Sequence, residues 1–430
     1  MIQKIQVNKK NKLIITASLM PFTLGNKEAA NVITHQIIKN LIAEEKYEIY
    51  FCLISHEIPE KNTYSDSAAN SLEKLGVKFL NPLIIPKYKK KSIIQKIGFI
   101  LSGSPEKIFP GAEVQNKLAN YFGFKPDLIL VIWSELATHA CSKIDCKKYN
   151  YAGNSQHDVY AARYELSELE FKSRSKRINI LKQINFKLRH FFIKYAYIHS
   201  LKRYDLIWNV AFNDAISLRK KGVNAQYLQN MWPNSNYKIN ESIKNNKDSI
   251  LKIVANVGNI NATGNSLGLY VLASEILPRM KKIMKDKRFE FHLFGRGEPL
   301  DFLKDILNDP QIKIRGFVND LDSEIISSDI FLVTNNSKRF KVCHTRFLHA
   351  WSLSSCVVAF RDSSLAIPEI IDGYNALLGD NSNQICDLII KCANDNNLKR
   401  DLAKNGMKTL KNYFNPKNIT AEISSVMINN

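Results

Sequence analysis

The feature that most constrains this chain is a unit that occurs twice: an apolar run, a glycine-bearing turn, and a helix opening directly behind it. In the first half Leu13-Ile14-Ile15-Thr16-Ala17 runs into Pro21-Phe22-Thr23-Leu24-Gly25-Asn26, and a helix follows with apolar residues at Ile33, Ile37, Ile38 and Leu41. In the second half the apolar residues 250–257 end at Gly258-Asn259-Ile260-Asn261-Ala262-Thr263-Gly264-Asn265, and the next helix sets Leu267, Val271, Leu272, Ile276 and Met280 on one face. Strand, glycine turn and helix N-terminus open a βαβ unit, and the free N–H groups at the helix start offer positive potential to an anion. A chain that opens such a unit twice predicts an α/β fold with two Rossmann-like domains facing across a cleft. Asn26 suits the cap of the first helix. A lone Gly25 is what any tight turn needs.

Between the two units, residues 48–54, 77–80, 128–133, 149–153 and 205–210 are apolar runs of strand length, separated by helical or polar segments. That alternation predicts parallel sheets covered on both faces. At 430 residues the chain exceeds the size of one hydrophobic core. Met231-Trp232-Pro233-Asn234 interrupts the rhythm, and an Asn-, Lys- and Ser-rich stretch follows, placing the boundary at about residues 233–248. The expected organisation is an N-terminal acceptor-binding domain over 1–232 and a C-terminal donor-binding domain over 233–412. A helix over 413–430, set off by Phe414-Asn415-Pro416, is expected to cross back to the first domain.

Lys and Arg outnumber Asp and Glu by 61 to 40, a net charge of +21 that implies an anionic partner. The charge is concentrated: residues 171–203 hold ten Lys or Arg and no Asp or Glu, interleaved with Phe186, Phe191, Phe192, Tyr195 and Tyr197. Ordinary exposed helices mix both signs, so an acid-free stretch with aromatic residues suits an anionic membrane surface. Lys87, Lys89, Lys90 and Lys91 ahead of Ile93 and Ile94 suggest a second contact of this kind within 87–96. Nucleic acid would suit the charge too, but no recognised nucleic-acid module accompanies it, and none is expected as a partner. No apolar run reaches the roughly 18 residues of a membrane span. Residues 1–12 lack an apolar core of signal-peptide length, so a cytoplasmic protein is expected, peripheral at the inner membrane. Seven scattered cysteines predict free thiols. Cys141 and Cys146 near His139 lack a second ligand pair, and no metal site is expected.

Chemistry-bearing residues fall where such sheets bind ligands, just beyond strand ends. His157-Asp158 follows the run at 149–153; taken alone it is more simply a surface histidine beside a local carboxylate. In the second half Gly295-Arg296-Gly297 follows residues 289–294, and Phe317-Val318 follows Ile312-Lys313-Ile314-Arg315-Gly316. A cationic loop, Lys338-Arg339-Phe340-Lys341-Val342-Cys343-His344, then leads into Thr345-Arg346-Phe347-Leu348-His349-Ala350.

The segments VGNINATGNSLGLYVLA, FHLFGRGEPL, IRGFVNDLDSEIISSDIFLV, HTRFLHAWSLSSCVVA and PEIIDGYNALL occur in the order and spacing of the donor domain of GT-B nucleotide-sugar glycosyltransferases. Over residues 250–412 the chain most resembles the large retaining family of bacterial surface-polysaccharide transferases, the glycosyl transferases group 1. The resemblance implies donor contacts at Gly258, Asn259, Thr263, Gly264, Asn265, Gly295, Arg296, Lys341, His344 and Thr345. It implies that Phe317 and Val318 border the base, that His349 and Glu369 lie near ribose and sugar, and that Arg346 lies near the diphosphate. On the acceptor side it implies Gly25, Asn26, His157 and Asp158. Where many members carry a Glu-x7-Glu pair this chain has Lys341 and His349, and where they carry Arg and Lys at the first glycine loop it has Asn259 and Thr263. Arg296, Arg346, Lys338, Arg339 and Lys341 are the cations available in compensation.

The activity so implied is transfer of a sugar from a nucleotide-sugar co-substrate to a surface glycan or lipid-linked acceptor at the cytoplasmic membrane face. It is implied to be retaining, with neither metal nor cofactor. His157 and Arg346 are the catalytic candidates: the first contacts acceptor or sugar, the second stabilises the departing phosphate. Two alternatives share the fold. A sugar-nucleotide epimerase would form product without acceptor, and a non-catalytic homologue would bind nucleotide and release no sugar.

Overall fold

The structure is a computed structural model that describes residues 10–21, 29–56, 72–86, 91–109, 114–153, 156–174, 180–233, 250–285, 288–335 and 345–429. Gly25, Asn26, Lys87, Lys89, Lys90, Lys338, Arg339, Lys341, His344 and most of the 233–248 boundary lie outside the described residues.

The first lobe is built on strands β1 (Asn11–Ala17), β2 (Tyr47–Ser55), β3 (Lys78–Phe79), β4 (Leu83–Ile84), β5 (Leu128–Ile132), β6 (Lys147–Ala152), β7 (Leu206–Asn209) and β8 (Ala225–Tyr227). They form one sheet in the order β3-β2-β1-β5-β6-β7-β8, with β4 also beside β2. The second lobe holds β9 (Leu251–Val257), β10 (Phe289–Phe294), β11 (Ile312–Gly316), β12 (Ile330–Val333), β13 (Val357–Phe360) and β14 (Leu377–Gly379), in the order β11-β10-β9-β12-β13-β14. The pairings are parallel throughout. Helices cover both faces, so central strands such as Leu128–Ile132 and Val357–Phe360 are buried at every position.

Each sheet grows outward in one direction and then reverses, between β1 and β5 in the first lobe and between β9 and β12 in the second. Open α/β sheets bind ligands beyond the strand ends at such reversals. The chain is an α/β protein of two doubly wound lobes.

The lobes are joined by backbone, side-chain and apolar contacts. The Phe212 N–H donates to the Ala366 carbonyl at 3.0 Å and the Trp232 N–H to the Phe414 carbonyl at 3.1 Å. Ala162 and Leu166 on the helix Gln156–Ser173 pack against Leu267 of the helix Thr263–Val271. The helix Asn396–Tyr413 lies on the helix Thr345–Ser352, where Gly406 leaves space for the indole of Trp351. The last helix, Pro416–Asn429, returns to the first lobe and packs on Ala29–Ala43, with the Tyr47 hydroxyl 2.9 Å from Ser424 Oγ.

Candidate active site

Three loops meet at the C-terminal edge of the second sheet. Gly295 holds φ at +142°, and a Cβ there would overlap the carbonyl oxygen of Gly258, itself at φ +100°, so neither position takes an ordinary side chain. This close approach lets the Gly295 N–H donate to Gly316 O at 2.8 Å and the Ile260 N–H donate to Arg296 O at 2.9 Å. Asn256 ties the same corner from beneath, its amide donating to the carbonyls of Gly258 and Phe294 at 3.1 Å each. On top, the Arg296 guanidinium lies 4.7 Å above the half-exposed ring of Phe317, with Val318 partly buried beside it.

The helix Thr263–Val271 starts at this corner behind Ala262, and among the described residues no side chain caps its first N–H groups. It approaches β12 closely: a Cβ on Gly264 would stand 3.2 Å from the Asn335 amide, and one on Gly268 2.6 Å from Thr334 Oγ1. Small residues therefore press the uncapped helix start against the β9/β12 switch point.

Arg346, second residue of the helix Thr345–Ser352, completes the group. Its Nη1 donates to Asn335 Oδ1 at 2.7 Å, its Nη2 donates to Asn265 Oδ1, and the Asn265 amide donates to the Asn259 carbonyl at 2.6 Å. The fork is thus held by two neutral amides from opposite sides of the switch point. Among the described residues no carboxylate pairs with it, and burial pulls its pKa down to about 10. A partly buried cation that is oriented but not neutralised, beside free helix N–H groups, is built to receive an anion.

Gly258, Asn259, Thr263, Gly264, Asn265, Gly295, Arg296, Phe317, Val318, Thr345 and Arg346 all lie along this edge. Two other residues of the donor group have partners elsewhere. His349 Nε2 is 2.7 Å from Asp322 Oδ1, and its ring lies 5.4 Å from that of Trp232, the residue entering the linker. Glu369 accepts from the Tyr227 hydroxyl at 2.7 Å and from the Gln229 amide at 2.9 Å, both in the first lobe. Its carboxylate ties the lobes together in this conformation.

A second cluster lies in the first lobe, beyond the ends of β6 and β7. His157 and Asp158 open the helix Gln156–Ser173; Asp214, Ser217 and Lys221 follow β7, and Lys194 and Tyr197 come from the helix Ile180–Leu201. With Asn209 and Leu218 they line a pocket of about 70 Å³. His157 is 6% exposed, its Nε2 stands 3.4 Å from Asp158 Oδ1, and its Nδ1 is buried with no partner among the described residues. Burial holds its pKa down near 3, against a smaller upward pull from Glu135, so the imidazole is neutral across the physiological range. Burial, and then the neighbouring Asp158, push Asp214 up to about 7. Neutral His157 is fit to hydrogen-bond a hydroxyl, not to take up a proton or serve as a cation.

Asn335, Asp322, Tyr227, Gln229, Lys194, Asp214 and Lys221 were not singled out in the sequence. Asn335 and Asp214 carry the signal used elsewhere, a polar side chain just past a strand end. The other five are brought in by packing between elements distant in sequence. Trp133 carries another mark invisible in sequence: it ends β5 at the first lobe's reversal with φ at +47°, its ring packed against Gly153. Such strain in a non-glycine residue gathers at ligand sites.

Two doubly wound lobes with an anion-seeking edge on the second are the layout of the GT-B fold. Residues 252–395 match the family model described as glycosyl transferases group 1, so the likeness to that family lies in the second lobe. No curated protein matches the sequence. Among solved structures, sucrose-phosphate synthase from Thermosynechococcus elongatus superposes with a TM-score of 0.64 at 13% identity, covering 97% of this chain and 98% of its own. HepE from Anabaena, solved with UDP and glucose, gives 0.60 at 12% identity, covering 96% and 98%. WaaG, a glycosyltransferase of lipopolysaccharide biosynthesis, gives 0.55 at 12% identity, covering 96% and 99%. The GT-B likeness therefore spans both lobes.

Proposed function

We propose that the protein transfers a sugar from a nucleoside-diphosphate donor to a surface glycan or lipid-linked acceptor at the cytoplasmic face of the membrane, without metal and with retention. The observation that carries the donor half is Arg346, fixed by Asn265 and Asn335 at the switch point with no carboxylate partner among the described residues. The diphosphate sits between this guanidinium and the uncapped start of Thr263–Val271, and the base lies along Phe317 and Val318. HepE, with the same fold, was solved with UDP-glucose. As the bond from sugar to phosphate breaks, charge gathers on the leaving phosphate, and prepositioned Arg346 and backbone N–H groups stabilise it without reorganising. In a retaining reaction that phosphate takes the acceptor proton. His157, neutral in its pocket, hydrogen-bonds sugar or acceptor hydroxyls from the opposite lobe. Asp158, with Gly25 and Asn26, belongs to the acceptor side. An anionic membrane surface meets residues 171–203 and 87–96.

The test is calorimetry and thermal denaturation with uridine, guanosine, adenosine, thymidine and cytidine diphosphates, then turnover with the matching sugar nucleotide. One base should bind and raise the melting temperature, as expected for a ligand of the folded state. Acceptor-dependent release of the diphosphate should follow. Failure of all five to bind at millimolar concentration refutes the donor assignment; product formed from donor alone supports the epimerase alternative.

A further inference from the structure

Two helices of the first lobe turn apolar side chains toward solvent at the same helical spacing. On the helix Ile93–Leu101, residues Ile94, Ile97 and Leu101 share one face and are 81%, 45% and 81% exposed. On the helix Ile180–Leu201, Leu181, Ile184, Leu188, Phe191 and Tyr195 recur at the same i, i+3, i+7 spacing, with Leu181 71% and Phe191 53% exposed. At 1.5 Å per residue that second stripe runs about 20 Å. The helices are neighbours, not separate accidents. Their inner faces meet on the turn Pro105–Ile108, where Ile108, Phe192 and Ala196 are buried and Phe99, Ile100 and Phe109 pack on them. Ser92 and Gln95 form a capping box that fixes the start of the shorter helix. An inward face that is anchored, and an outward one left apolar, mark a surface made for a partner.

Charge identifies the partner. The two helices carry Lys96, Lys182, Lys187, Arg189 and Lys194 and no acidic residue, whereas the neighbouring helix Gln156–Ser173 mixes Asp158, Glu165, Glu168 and Glu170 with Arg163 and Lys172. Two of the cations lean on neighbouring rings, Lys96 at 5.7 Å from the inward-facing Phe192 and Arg189 at 5.4 Å from Tyr160 on the adjacent helix. Apolar stripes on two helices whose only charged residues are cations are complementary to a bilayer with anionic headgroups.

We infer that Ile93–Leu101 and Ile180–Leu201 form a single bilayer-docking face whose apolar stripes enter the acyl boundary while the lysines sit among the headgroups. This rests on the membrane-face reading above and changes its physics: attachment depends on insertion as well as on charge, so salt weakens it without abolishing it. The docked lobe is the acceptor lobe, which places a lipid-borne acceptor on the side from which it reaches the cleft.

The test uses the full chain and flotation with vesicles of phosphatidylcholine, with and without phosphatidylglycerol, at 0.1 and 1 M salt. Wild type should bind the anionic vesicles best and keep a measurable fraction at high salt. The double variant Ile94→Gln/Leu181→Gln should lose at least tenfold at both salt concentrations. Lys182→Gln/Lys187→Gln should lose binding mainly at low salt. These side chains are exposed, and unchanged melting temperatures would verify folding. Binding abolished by 1 M salt and indifferent to the apolar pair overturns insertion. So does absence of vesicle binding together with a dimer in sedimentation that Ile94→Gln/Leu181→Gln dissolves, since a second copy would then cover the face. Nucleotide binding measured without vesicles should be unaltered in every variant, so failure of docking is distinguishable from failure of the transferase reading.

Discussion

Replacing Arg346 with Met separates a binding arginine from a structural one, because the first role predicts little change in stability with a loss of binding and the second a large loss of stability. Burial lowers the Arg346 pKa from the usual 12.5 to about 10, which means the folded protein holds this charge at a cost. At 1.36 kcal/mol per unit the cost reaches about 3 kcal/mol, and water reaching a partly exposed guanidinium reduces it to about 1–2 kcal/mol. Against that stand two hydrogen bonds to neutral amides, worth about 1.5–3 kcal/mol each to a charged group but partly recovered when Asn265 and Asn335 rotate toward solvent or each other. Methionine fills a similar length without charge. Arg346→Met should therefore change unfolding free energy by no more than about 1 kcal/mol in either direction. Loss of a bidentate contact to phosphate should weaken the nucleoside diphosphate by about 2–4 kcal/mol, roughly 30- to 1000-fold. Urea unfolding and calorimetry on the same preparations read both quantities. A variant that unfolds more than 3 kcal/mol more easily and still binds nucleotide normally would refute the reasoning, since Arg346 would then be a structural clamp.

Two further outcomes follow from the site and its supports. His157 has a folded pKa near 3 against 6.5 unfolded, so the unfolded chain takes up a proton that the folded chain refuses; stability from this group is full above pH 6.5 and is lost as pH falls toward 3. Asp214, raised to about 7, works in the opposite sense: its contribution is full below the unfolded value of 3.8 and is lost as pH rises through 7. Wild type should show a shallow pH dependence between pH 4.5 and 6.5. His157→Gln should become more stable relative to wild type as pH falls, by roughly 2 kcal/mol over that window, and Asp214→Asn as pH rises, by less because Asp214 is less buried. Chemical denaturation at the two ends measures both, and parallel curves for all three proteins would contradict the assignment. Separately, Gly295→Ala places a Cβ against the Gly258 carbonyl at φ +142° and should cost about 3 kcal/mol or more, whereas Gly103→Ala, at φ +68° with open space around it, should cost about 1 kcal/mol. Equal losses in melting temperature would show that the glycine corner is not tightly closed.

The parts of this fold legible in the sequence are those encoded by neighbours in the chain. Apolar runs such as Leu128–Ile132 could only be buried strands, and a glycine loop leading into Leu267 and Leu272 could only open a βαβ unit; repeated twice, they require two lobes. The grouping of Gly264, Asn265, Gly295 and Arg346 on one sheet edge was legible for the same reason, since each sits immediately past a strand or at a helix start. What sequence spacing does not contain is which distant elements meet. Nothing local to Glu369 shows that Tyr227 and Gln229, more than a hundred positions earlier, take both its oxygens, or that Asp322 occupies the imidazole of His349. The basic stretch at 171–203 illustrates the limit from the other side. Its charge was visible in composition, but charge alone argues for attraction to a surface. Only the fold, which leaves Leu181, Ile184, Leu188 and Phe191 on one helix and Ile94 and Leu101 on another exposed, argues for entry into one, because insertion depends on which side chains remain uncovered once the rest have packed.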